Sequence, residues 1–83
     1  MDHNKLINDL LEEMEVVCNQ KVTASTPLLD EAQLDSFGIM MIITFLEDTY
    51  SIEVADDLLA THNFVSVTVI AQWALPLIKA QVC

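Results

Sequence analysis

The chain has 83 residues, enough for one domain with a thin hydrophobic core and no second domain beside it. Thirteen Asp and Glu stand against three Lys and no Arg, a net charge of −10, so a nucleic acid or an anionic membrane surface would be repelled, and basic patches on other proteins are the natural partners. At 53% hydrophobic the chain has too much apolar side chain to stay disordered, and one Gly and two Pro leave little turn chemistry for an all-β fold.

The amino-terminal stretch is polar and passes directly into an amphipathic pattern, which predicts no signal peptide. From Asn4 to Cys18, Leu6, Ile7, Leu10, Leu11, Met14 and Val17 recur at helical spacing, with Asp9, Glu12, Glu13 and Glu15 on the other side. A first amphipathic helix is expected there. Asn19 to Asp35 reads as a long connection containing Pro27. Leu28, Leu29 and Leu34 punctuate it, and such apolar pins drape a loop over a core.

A second helix is expected from Ser36 to about Tyr50, with Ser36 as its N-cap. Ile39, Ile42, Ile43, Leu46 and Tyr50 stack on one face, the expected core face. The opposite face carries Phe37, Met41, Thr44 and Asp48, flanked by Met40 and Phe45. A helix apolar on both faces is either buried all round or holds out a binding stripe; in so short a chain the stripe is as credible as full burial, with Met41 the methionine expected to be exposed. The apolar run Phe37–Phe45 is about half of what a membrane span needs.

Ser51 to Ala55 reads as an extended link with Ile52 and Val54 inward, and Asp56 to Ala60 as a short helical turn. A last helix is expected to start at Ser66 and run through Val67, Ile70, Ala71 and Ala74, with Pro76 ending it near Leu75 or kinking it. Trp73 is expected to be partly exposed or wedged against the first helix. These elements predict an all-α fold: a small four-helix bundle of three main helices and one short one, with a long first loop, in a single domain over residues 1–83.

Cys18 and Cys83 sit in no Cys-x-x-Cys pair and no Cys/His cluster, which argues against zinc and redox roles and for a reducing, cytoplasmic setting. Glu53, Asp56, Asp57 and His62 lack the spacing of a calcium loop, so no metal site is expected. The chemistry concentrates in Leu34-Asp35-Ser36-Phe37-Gly38. An acid, a serine and a large apolar residue open a helix after a long loop. This places a primary hydroxyl at the positive end of a helix dipole, with Asp35 and the Phe37/Met41 stripe beside it. A hydrolytic serine would need a base and an oxyanion site; His3 and His62 are the only histidines, and no Gly-x-Ser-x-Gly is present.

Asp35-Ser36-Phe37, Leu46-Glu47-Asp48 with Tyr50, Ile52-Glu53-Val54 and Asn63-Phe64-Val65-Ser66-Val67 followed by Ile70-Ala71 together resemble the acyl and peptidyl carrier protein family, over Leu6 to about Ile78. The resemblance implies a non-enzymatic carrier. Ser36 would take a 4'-phosphopantetheine arm from coenzyme A through a phosphopantetheinyl transferase, and the arm would hold acyl or aminoacyl groups as thioesters. Further partners would be an adenylating or acyl-loading enzyme and downstream acyl-transferring enzymes, met by a monomer. Asp35, Phe37, Met40, Met41 and Asp48 are the expected docking residues. Gly38 and Met41 stand where fatty-acid carriers show acids, and Leu58 to Phe64 lacks the tryptophan-containing segment associated with D-alanyl carriers. Both departures favour a discrete carrier of a polyketide or nonribosomal peptide pathway over a fatty-acid or D-alanyl carrier. The reading from a different class is a non-catalytic interaction module that grips a basic amphipathic partner with the Phe37/Met41 stripe.

Overall fold

Leu6, Leu10 and Met14 recur every fourth residue, and in the computed structural model all three are fully buried on one face of a helix, α1 (His3–Cys18). The structure describes residues 3–55, 58 and 60–81. The second helix, α2 (Ser36–Tyr50), buries Gly38, Ile39, Ile42, Ile43 and Leu46. A 3₁₀ turn (Thr61–Phe64) precedes the last helix, α3 (Val67–Gln81). α1 packs against both α2 and α3, and the 3₁₀ turn packs against α3. Among the described residues every regular element is helical, as the sequence predicts. The Cα radius of gyration, 11.7 Å, is close to the value of about 12 Å expected for a compact domain of this length.

The core joins all the elements: Leu6 and Leu10 from α1, Ile42 and Leu46 from α2, Phe64 from the 3₁₀ turn, and Ile70 and Ala74 from α3 are fully buried. The long connection contributes as well. Leu28 is fully buried, and Val22, Ala32 and Leu34 are nearly so, which is how apolar pins hold a loop to a core. Its backbone is bonded where it touches the last helix: Leu28 N donates to Val65 O (2.8 Å), and both Thr68 N (3.0 Å) and Thr68 Oγ1 (2.9 Å) donate to Ala24 O. After α2, Ile52 and Val54 turn inward while Ser51, Glu53 and Ala55 face out, the alternation expected of an extended link. Glu47 Oε2 accepts from Val54 N (3.1 Å) and ties that link back to α2.

Four local expectations need correction or limitation. Asp35, not Ser36, caps α2: its backbone is extended, its Oδ1 accepts from Gly38 N (2.9 Å), and Ser36 is already helical. Pro76 does not end α3, which continues to Gln81. Gln72 and Pro76, one turn apart, are both exposed, so water can reach the backbone group that the missing N–H leaves without its helical partner. Trp73 is half-buried against the 3₁₀ turn: its Nε1 donates to Asn63 O (2.9 Å), and its ring meets Phe64 edge-on at 5.6 Å. The turn expected over 56–60 rests largely on Asp56, Asp57 and Leu59, which lie outside the described residues; Leu58 N donates to Ala55 O (3.0 Å), and the regular 3₁₀ turn lies further on. Ser66 does cap α3, accepting from Val69 N through Oγ (3.3 Å) and from Ile70 N through its carbonyl (3.1 Å).

Candidate functional site at the start of α2

The junction where the long connection becomes α2 is built from alternating anchors and exposed groups. Leu34 and Gly38 are buried, and Asp35, Ser36 and Phe37 between them are exposed. Leu34 N donates to Leu28 O (2.8 Å), and Leu28 in turn donates to Val65, so the residue two before Ser36 is tied through the loop to the foot of α3. Two residues after Ser36, a Cβ added at Gly38 would lie 2.6 Å from Leu34 Cδ1 and 3.1 Å from Val17 Cγ1. Glycine is therefore what lets α1, the loop and the first turn of α2 close on one another. The Gly38 N–H is also the donor that Asp35 Oδ1 captures. Ser36 is held between two fixed points while its own side chain is in solvent.

The electrostatics of the junction follow from the helix end. Asp35 takes up the Gly38 amide through its side chain and the Ile39 amide through its carbonyl (2.9 Å). The Ser36 and Phe37 amides have no acceptor among the described residues and lie at the positive end of the helix dipole. Ser36 Oγ has no hydrogen-bond partner there either, so no histidine or carboxylate is bonded to it as a base. Beside it a recess of ≈ 250 Å³ runs between Val17, Cys18, Leu34, Asp35 and Met41. Burial pushes the Cys18 thiol above its ordinary range, and the Asp35 carboxylate adds to the shift, so Cys18 stays a thiol at neutral pH.

The outward face of α2 forms a shallow groove of ≈ 560 Å³ with Phe37, Met40, Met41 and Phe45 as its apolar lining and Glu13 and Asp48 as its acids. Phe37 is 74% exposed, Met40 53% and Met41 37%, so Met40 rather than Met41 is the more exposed methionine. Of the sequence-predicted docking residues, Asp35, Phe37, Met40 and Met41 lie within the first two turns after the cap. Asp48 lies twelve positions beyond Ser36, about 18 Å along the helix at 1.5 Å per residue. Glu13 escaped the sequence reading because it belongs to α1's polar side; only the packing of α1 on α2 brings it to the groove. Among the described residues no three His, Cys, Asp or Glu side chains come together as a metal site; Asp56 and Asp57 of the acidic stretch considered for one lie outside them. No helix among those residues is long and apolar enough to cross a membrane.

The junction fits a phosphodiester. The hydroxyl is open to a second molecule, two unpaired amides favour an anion, and the Asp35 oxygen that caps the helix is turned to the Gly38 amide. Comparisons with models of known protein families, with curated proteins and with solved structures return no match.

Proposed function

We propose that the chain is a carrier protein whose Ser36 bears a 4'-phosphopantetheine arm, and that it works as a tether and docking platform rather than as an enzyme. The observation that carries this reading is an exposed, base-free serine hydroxyl at the first turn of α2, fixed by buried anchors two residues to either side. In the attachment step Ser36 Oγ bonds to the pantetheine-side phosphorus of coenzyme A, and the pyrophosphate bridge breaks. Adenosine 3',5'-bisphosphate leaves, and the serine proton passes to a base on the transferase. The chain offers no base of its own at Ser36, which suits a residue modified by another protein's machinery. When bound, the arm supplies a terminal thiol that carries acyl or aminoacyl groups as thioesters at high effective concentration beside each partner.

Gly38 and Met41 replace acids on the outward face with a glycine and an apolar side chain, which favours cargo of a polyketide or nonribosomal peptide pathway over fatty-acid or D-alanyl cargo. Modification from coenzyme A implies a cytoplasmic setting. The test is intact mass after incubation with a broad-specificity phosphopantetheinyl transferase, Mg²⁺ and coenzyme A. The wild-type chain gains one phosphopantetheine and Ser36→Ala gains none. A wild-type chain left unmodified under conditions that load a control carrier overturns the reading.

A further inference from the structure

Five large apolar side chains are exposed among the described residues, and three of them, Phe37, Met40 and Met41, fall together in the groove on α2. From residue 37 to residue 49 the groove follows the helix for about 18 Å, a little over three turns. Its two ionisable side chains, Glu13 and Asp48, are both acids, and the chain as a whole carries −10. We infer that this groove docks one amphipathic helix of a partner protein, with an apolar ridge laid over Phe37, Met40 and Met41 and cationic side chains at the end that meets Glu13 and Asp48.

Length, shape and charge each narrow the occupant. An elongated apolar channel matches a helix ridge with anchors three and four residues apart, and methionine adapts to such a ridge without a fixed pocket. A second copy of this chain would set acid against acid across the contact, and an anionic bilayer would be repelled. The two ends of the groove divide the work. The apolar end next to Ser36 supplies the area removed from water, and the acidic end sets the direction in which the partner helix lies. The surface stands without the Ser36 reading. Taken with that reading, which it deepens, the fixed direction lets the partner bring its reactive centre over the hydroxyl, and the partner is an enzyme that modifies or loads the arm.

The test uses the full chain, ¹⁵N-labelled, and two synthetic Leu/Lys peptides of about 18 residues, long enough to span the groove as helix. One is ordered as an amphipathic helix, and the other is a scramble of identical composition. The ordered peptide is expected to shift the amides of Glu13 and of residues 37–49 and to bind at least tenfold more tightly than the scramble. Phe37→Ala and Met40→Glu are each expected to weaken it at least tenfold at unchanged melting temperature, and Glu13→Gln with Asp48→Asn to flatten its salt dependence. Equal binding of both peptides overturns the proposal, because charge alone then suffices. So do shifts confined to other faces, concentration-dependent self-association through the same amides, or capture by neutral phosphatidylcholine vesicles in place of the peptide. Ser36→Ala keeps the peptide site, so lost peptide binding with arm attachment intact removes only the docking surface, and the converse result removes only the carrier reading.

Discussion

The two faces of α2 are nearly equal in apolar content and differ in what covers them. Inward, Ile39, Ile42, Ile43 and Leu46 are 0–7% exposed; outward, Phe37, Met40 and Met41 range from 37% to 74%. α1 packs against α2, the extended link and 3₁₀ turn add Ile52, Val54 and Phe64 to the shared core, and no described element closes the outward side. A chain of 83 residues lacks the material to bury a helix on every side. The inward face is branched aliphatic residues in fixed rotamers, suited to a unique packing. The outward face is methionine and phenylalanine, suited to a contact made and broken. Hydrophobicity therefore does two jobs on one helix, and substitution separates them. Ile42→Ala and Leu46→Ala are each expected to cost about 2–5 kcal/mol, read as a shift of the urea midpoint. Met40→Ala, on the other face, is expected to stay within about 0.5 kcal/mol of wild type. Equal losses on both faces would mean that the outward stripe is part of the core.

How far this division can be read from the sequence depends on the kind of signal. The inward face was legible because Ile39, Ile42, Ile43 and Leu46 keep helical period and the three main helices alternate with polar stretches. The buried loop pins, Leu28 and Leu34, were legible because isolated leucines in a polar connection need cover. Exposure of the outward face was an even choice, since pattern alone does not count how many elements are left to cover it. Pro76 misled because its cost depends on whether the backbone group it strands meets water, a tertiary fact. Trp73 was assigned the wrong neighbour because nothing local announces that Asn63 O lies within reach of its indole. Glu13's place in the groove needed the packing of α1 against α2.

The far end of α2 supplies a second cross-helix contact, smaller and dependent on pH. Tyr50 Oη donates to Asp9 Oδ2 (2.6 Å), and Asp9 also pairs with Lys5 (3.6 Å) one turn earlier on α1. Burial first, and then the bond and charge of Asp9, push the Tyr50 phenol well above its ordinary value near 10. The folded value is raised, so this contribution is complete below the ordinary value and is lost as pH climbs through the folded one. Tyr50→Phe is expected to cost about 1–2 kcal/mol near neutral pH, the range of a partly buried bond to a charged acceptor. The gap between wild type and Tyr50→Phe in urea midpoint should narrow at strongly alkaline pH. A gap that widens there would show that the phenol loses its proton more easily in the folded chain.

The smallest expected effect bears most directly on Ser36. Asp35 and Ser36 are both good capping residues side by side, and the structure gives the cap to Asp35, whose Oδ1 holds the Gly38 amide. Asp35→Ala should therefore cost about 1 kcal/mol. Ser36→Ala replaces a helical, exposed serine with a better helix former and should be neutral or gain up to about 0.5 kcal/mol. If the two results were exchanged, Ser36 would be a cap and its hydroxyl would be engaged with the backbone. With the expected order, Ser36 contributes nothing to folding that alanine does not. In a helix otherwise filled with core and docking residues, a serine at the open dipole end with no folding role has only its free hydroxyl to offer, and thermal unfolding of the two single variants beside wild type measures that directly.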